Sequence, residues 1–262
     1  MKIETILTPA ELPALAQRDL RATACVVFDV LRATSTFVTA LHRGAKAIIP
    51  VSEIAEALEI KSSEVRSQKP EFILLGGERN GVRISAGGID FDLGNSPREY
   101  TPEKVRGKTI VSTTTNGTRA LRACADAQTV LAASFLNLTA TAEFLRREHF
   151  ENILLVCAGT GENQADEDVL ASGALCEFLV GLSRCDDRTA QRAIPILSDS
   201  AQIALRTYLA AKPDLATAVS SSENARRLLA IPELREDVSF CLQRDICPLV
   251  AKMDADGAIR VG

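Results

Sequence analysis

The chain has 262 residues, 46% hydrophobic and 24% charged, enough apolar content for a sizeable core and too much for a disordered chain. Thirty Lys and Arg against 34 Asp and Glu leave a net charge of −4, and without a basic stripe that balance argues against nucleic acid as a partner. No Trp and two Tyr leave little for a stacking platform, and no apolar run reaches the roughly 18 residues of a membrane helix. Residues 1–9 lack a basic-then-apolar leader, so the expected location is the cytoplasm.

Residues 24–28 read as a strand, followed by a polar turn over 29–36 and a helix through Phe37, Ala40 and Leu41. A short strand is expected over 47–51, and a helix over 54–67 with Ser52 as its cap. A strand at 72–75 leads into residues 76–97, where five of the fifteen Gly fall within 76–88, so a long loop or a hairpin is expected. The next unit is a strand at 109–111, a hydroxyl-rich turn over 112–118 and a helix from Arg119. A strand at 129–132 precedes a helix over 138–147 capped by Asn137. Residues 153–157 form a strand, 158–163 a Gly-Thr-Gly turn, and 166–182 a helix. Helices follow over 200–211 and 223–229, the second capped by Ser222. Strands alternating with helices predict an α/β fold, layered α/β/α around a mostly parallel sheet. One domain over 1–262 is expected, with two closely packed lobes meeting near residue 180, where the polar run 184–188 begins. The seven Cys include no Cys-x2-Cys pair, which disfavours a zinc cage, and only two His, His42 and His149, are present.

In an open α/β sheet, ligands bind beyond the carboxyl ends of the strands, where helix N-termini attract anions. Three turns would lie there: Asp29 to Thr36, Thr113 to Thr118, and Ala158 to Asn163. A carboxylate at Asp29, directly after an apolar strand, suits a Mg²⁺ ligand, and Glu78, Asp90, Asp92, Glu167 and Asp168 are further acids on loops or a helix start. Acids in a helix's first turn also complement its dipole, which is the commoner reason for Glu167 and Asp168. Arg32 and Arg79 offer planar forks to phosphate or sulfonate oxygens, although an Arg–Asp surface pair is the plainer reading. The sequence lacks Asp-x-Asp after the first strand, Cys-x5-Arg and Gly-x4-Gly-Lys, and residue 164 is Gln where a dinucleotide fingerprint would have its third Gly.

Five segments together resemble the 2-phosphosulfolactate phosphatase family: Phe28-Asp29-Val30-Leu31-Arg32-Ala33-Thr34-Ser35-Thr36, Gly76-Gly77-Glu78-Arg79-Asn80-Gly81, Phe91-Asp92-Leu93-Gly94-Asn95-Ser96-Pro97, Thr113-Thr114-Thr115-Asn116-Gly117-Thr118, and Cys157-Ala158-Gly159-Thr160-Gly161 with Glu167-Asp168. The stretches Ser222 to Leu228 and Asp237 to Cys241 fit as well, so the likeness spans about residues 24–250. The resemblance implies a fold of the family's own type. It also implies a Mg²⁺-dependent phosphatase that converts (2R)-phospho-3-sulfolactate to (2R)-3-sulfolactate and phosphate, a step that serves coenzyme M biosynthesis in methanogens. Another phosphorylated 2-hydroxy acid is the alternative substrate.

On that reading Asp29, Arg32, Glu78 and Arg79 are the expected catalytic residues. Asp29, Glu78, Asp92, Glu167 and Asp168 are the expected metal ligands. Thr34, Ser35, Thr36, Asn95, Ser96, Thr113, Thr114, Thr115, Asn116, Gly117, Thr118, Thr160 and Gly161 are expected around the small anionic substrate. Water attacking phosphorus in line and Asp29 acting as a covalent nucleophile both stay open. Competing classes are a non-catalytic anion-binding module, which needs no convergent carboxylates, and an oxidoreductase using the Gly159 turn for a nucleotide. A homodimer is the base-rate expectation.

Overall fold

A computed structural model describes residues 1–66, 72–79, 81–86, 88–185 and 195–262. In chain order the elements are β1 (Lys2–Ile6), α1 (Leu12–Leu15), β2 (Thr23–Phe28), α2 (Ala33–His42), β3 (Ala47–Pro50), α3 (Ile54–Arg66), β4 (Ile73–Arg79), β5 (Val82–Arg83), β6 (Ser85–Ala86), β7 (Ile89–Asp90), α4 (Pro102–Val105) and β8 (Thr109–Thr113). They continue with α5 (Gly117–Ala123), β9 (Thr129–Ala133), α6 (Leu138–Arg147), β10 (Asn152–Cys157), α7 (Asp166–Cys185), β11 (Ile196–Leu197), α8 (Asp199–Ala211), α9 (Leu215–Ser220), α10 (Glu223–Leu229), α11 (Arg235–Cys241), β12 (Ala251–Met253) and β13 (Ile259–Val261).

Eleven of the described strands form one sheet in the order β11-β1-β10-β2-β9-β12-β13-β3-β8-β4-β5, and β6 and β7 form a separate two-stranded sheet. β11, β1, β10, β2 and β9 are mutually parallel, and so are β3, β8 and β4. The antiparallel hairpin β12–β13 joins the two sets, pairing with β9 on one side and with β3 on the other. The sheet is therefore mixed and mostly parallel, with helices layered against it.

Strands covered on both faces read as unbroken apolar runs, and the central strands do. Because side chains alternate along a strand, Ala24, Val26 and Phe28 of β2 enter one core with Ile153 and Leu155 of β10, while Cys25 and Val27 enter another with Leu154 and Val156. The first core lies under α6, α7, α8, α10 and α11, the second under α1, α2 and α5, and a third holds Leu75 and Val111 against α3. Cys25, Cys124, Cys157, Cys176, Cys241 and Cys247 are free and buried as small core residues.

Several boundaries differ from the sequence reading. β4 runs on through Glu78 and Arg79 and folds back on β5, and the β6–β7 hairpin follows before a bridge returns Leu93 to Gly76. Of the two alternatives expected for residues 76–97, a long loop or a hairpin, the segment takes the second, as two hairpins, and the close approach of β4 to β8 rests on Gly77, where a Cβ would lie 2.1 Å from the Thr113 carbonyl oxygen. Helix α2 starts at Ala33, so Thr34, Ser35 and Thr36 belong to its first turn instead of a preceding loop. Ser222 caps α10 by accepting from Ala225 N. Asn137 makes no such cap, and its side chain instead accepts from Ser134 N and donates to the carbonyls of Ala132 and Leu249. Residue 180 lies inside α7, while 186–188 of the proposed boundary, Ser67 of the proposed helix and Asn80 lie outside the described residues. No described helix is long and apolar enough to cross a membrane.

Candidate active site

A cavity of about 210 Å³ opens beyond the carboxyl ends of β2, β4, β8 and β10. In the sheet order four strands separate β8 from β2, yet the turns that follow them line the same cavity. The turn after β8 lies on the turn after β10: Asn116 Nδ2 donates to the Ala158 carbonyl at 2.9 Å and to the Gly161 carbonyl at 3.3 Å. Gly117 lies against Asp29, where a Cβ would come within 2.6 Å of Asp29 Oδ2. Asp29, Arg32, Glu78, Asn95, Thr115, Asn116, Thr160 and Gly161 of the expected set all line this one cavity.

Acids wire its loops together by accepting from backbone amides. Asp168 takes Val30 N at 2.8 Å and Gly159 N at 3.0 Å, which ties the turn after β2 to the turn after β10. Glu78 takes Gly81 N at 2.6 Å on one oxygen, and the amide and hydroxyl of Thr115 at 3.1 and 3.0 Å on the other. Asp29 Oδ1 accepts from Ala33 N at 3.0 Å at the start of α2. Several amides expected to cradle an anion are thus already satisfied by side chains.

The carboxylates are crowded and dry. Burial pushes Asp29 up to about 7, and the nearby charges of Glu78 and Glu167 add to the shift. Burial likewise raises Asp168, helped by Asp29 and Glu167, and raises Glu167 against the hydrogen bond from Asn224. Such a cluster favours any cation that can enter. Three other oxygens, Glu167 Oε2, Asn95 Oδ1 and Asn116 Oδ1, are buried without a hydrogen-bond partner. With Asp29 Oδ2, the two amide oxygens, whose residues line the cavity, are hard oxygen donors of the kind that Mg²⁺ takes. No three His, Cys, Asp or Glu side chains among the described residues converge to chelate an ion by themselves. The donors therefore fit an ion held by one or two carboxylates, with water and substrate completing its shell.

Arg32 supplies the positive side. It is 3% exposed, its Nη1 pairs with Asp237 Oδ2 at 2.7 Å, and its Nη2 donates to the Gly81 carbonyl at 2.9 Å. Ser96 Oγ donates to the other Asp237 oxygen at 2.7 Å, and Arg98 approaches the same oxygen at 3.7 Å.

Other expected site residues lie elsewhere. The hydroxyls of Thr34, Ser35 and Thr36 donate to the carbonyls of Asp29, Val30 and Asn95. Arg79 turns away to the carbonyls of Glu78 and Ser52 and to Thr113 Oγ1. Thr113 donates to the Ser52 carbonyl, and Thr114 and Thr118 bond one another across the start of α5. Asp92 is not among the residues that line the cavity, and its carboxylate accepts from Leu75 N at 2.8 Å and pairs with Lys61 at 2.6 Å. Ser96 faces Asp237, and Glu167 and Asp168 lie in the first turn of α7 behind the cavity wall.

Asn224 and Arg227 of α10 line the cavity and were not among the expected residues. Both stand in the stretch Ser222 to Leu228 that shared in the family resemblance, and their i, i+3 spacing beside the buried Ala225 and Leu228 marks a polar pair near the inward face of a helix. Asp237 opens the family-like stretch Asp237 to Cys241 but was given no site role, because a pairing across 205 residues has no local pattern.

A model of the 2-phosphosulpholactate phosphatase family matches residues 7–256. The chain belongs to this family. As a member it is an enzyme, a phosphoric monoester hydrolase. It is 38% identical over 249 residues to a protein of Caldanaerobacter subterraneus subsp. tengcongensis, covering 94% of each chain. It is 42% identical over 221 residues to one of Thermotoga maritima, covering 84% of this chain and 85% of the relative. It is 35% identical over 250 residues to one of Clostridium perfringens, covering 95% of this chain and 92% of the relative. All three carry the name "Probable 2-phosphosulfolactate phosphatase".

Proposed function

We propose that the protein hydrolyses (2R)-phospho-3-sulfolactate to (2R)-3-sulfolactate and phosphate with the help of Mg²⁺. The observation that carries this reading is the pairing, in one cavity, of a buried carboxylate cluster around Asp29 with the buried guanidinium of Arg32. An anion-binding module needs the Arg and has no use for the acids, which would repel its ligand unless a cation stands between them.

Asp29 would hold the Mg²⁺, with the unclaimed oxygens of Asn116 and Asn95 in the cavity wall as further donors. When bound, the ion would offset charge on the phosphate oxygens and lower the pKa of water beside it. Arg32 holds the phosphate in line with its fork, and Asp237 fixes the direction of that fork. Thr115 and Thr160 bring hydroxyls to the cavity wall, and Glu78 keeps the turns at 81 and 115 in place. A water oxygen bonds to phosphorus, the phosphorus–oxygen bond to C2 breaks, and the water's proton ends on the sulfolactate hydroxyl. Positioning and electrostatics supply most of the acceleration in such transfers.

The test is phosphate release from a panel of phosphorylated 2-hydroxy acids. Phosphosulfolactate is expected to give the highest kcat/KM, EDTA to abolish turnover, and added Mg²⁺ to restore it. Turnover indifferent to EDTA, or faster on another acid of the panel, contradicts the reading. Inversion at a chiral phosphate is expected for direct attack by water, whereas retention would make Asp29 a nucleophile.

A further inference from the structure

Two cationic side chains reach the cavity, Arg32 and Arg227, and they are electrically unlike. The charge of Arg32 is met by Asp237 in a fully buried pair. Arg227 is exposed at the rim, and among the described residues its side chain meets only the neutral amide oxygen of Asn224, at 3.0 Å. Its charge is therefore uncompensated. Its position is nonetheless prepared, because Asn224 is 6% exposed and its Nδ2 donates to Thr160 Oγ1 at 2.6 Å and to Glu167 Oε1 at 2.7 Å. A guanidinium held by an anchored amide presents its remaining donors to an incoming anion with little ordering cost.

Resting on the substrate reading above, phosphosulfolactate brings three anionic groups. Phosphate and carboxylate both hang on C2 and must enter together, whereas the sulfonate stands one methylene farther out. The phosphate belongs with Arg32 and the acid cluster at the floor, which leaves the outermost anion for the cation at the rim. We propose that Arg227 binds the sulfonate and is the residue by which this enzyme selects a sulfonated phosphoester over one with an uncharged third substituent.

The experiment compares Arg227→Gln and Arg227→Lys with the wild type on phosphosulfolactate and on 2-phospholactate, which carries a methyl group in place of the sulfomethyl. Arg227→Gln is expected to lower the ratio of the two kcat/KM values about 10- to 100-fold, the size of a lost charge-assisted hydrogen bond, mainly through KM for the sulfonated substrate. Arg227→Lys should recover part of that ratio, since it keeps the charge and loses the fork. Inhibition by 3-sulfolactate should weaken in Arg227→Gln by a similar factor while inhibition by inorganic phosphate changes far less, a comparison that holds even if turnover is slow. Equal losses on both substrates, or an unchanged ratio, overturn the assignment. A wild type that does not prefer phosphosulfolactate overturns the substrate reading first and the role of Arg227 with it.

Discussion

Asp237 is 0% exposed and lies 205 residues along the chain from the Arg32 it holds. Removing one partner of such a pair leaves the other charge buried and uncompensated, at a cost of about 3–5 kcal/mol. Asp237→Ala should therefore lose stability of that order in urea denaturation and lower kcat/KM by about 100-fold, as Arg32 swings out of line with the phosphate. Asp237→Asn keeps one acceptor oxygen for the guanidinium and should fall between the two. Denaturation and kinetic curves for Asp237→Ala that overlay those of the wild type would mean that Arg32 is held in place by the Gly81 carbonyl alone.

Helix α2 shows how a hydroxyl-rich stretch can serve the fold rather than the ligand. Its first turn spans Thr34, Ser35 and Thr36, all at 0% exposure. Each hydroxyl donates to a carbonyl, and the Thr36 bond to Asn95 at 2.8 Å joins the helix to the loop that carries Asn95 into the cavity. Ser35→Ala strands the Val30 carbonyl and is expected to cost about 1–3 kcal/mol in thermal or urea unfolding, with a kcat/KM loss of less than about tenfold. A large kinetic loss with unchanged stability would instead put the hydroxyl on the substrate. The strand-end rule located Asp29, Thr115, Asn116, Thr160 and Gly161, because a single apolar run followed by a polar turn reports its own carboxyl end. It did not anticipate the bonds of Thr34–Thr36 to carbonyls, because a helix boundary four residues earlier than expected moves every side chain around the axis. The parallel strands of the central sheet were legible from their continuous apolar runs, whereas β1, β12 and β13 were not foreseen. The last two are three residues each, too short for alternation to declare itself, and their place in the sheet is decided by distant partners.

At the scale of the molecule, two parallel sets of strands are stitched by the β12–β13 hairpin, and turns after strands of both sets line one cavity. The result is a concentration of buried acid at Asp29, Glu167 and Asp168, each with its carboxyl pushed above the ordinary range chiefly by burial, with Glu78 and Glu167 adding to the shift of Asp29 and with Asp29 and Glu167 adding to that of Asp168. Folding then favours the protonated carboxyls. Between the unfolded value of about 3.8 and the folded value of about 7 for Asp29, the native state binds more protons than the unfolded one, so stability must fall as pH rises across that window. A divalent cation bound there would remove the penalty by replacing the missing protons, and it would add stability by mass action. The central claim, that this acid cluster exists to hold a cation for phosphate chemistry, is tested most directly by the melting temperature of the EDTA-treated protein from pH 5 to 8, with and without Mg²⁺. The account predicts a melting temperature that declines toward pH 8 in EDTA, recovers there on adding Mg²⁺, and no longer responds to Mg²⁺ in Asp29→Asn. Curves for the wild type that coincide with and without Mg²⁺ at every pH would contradict it.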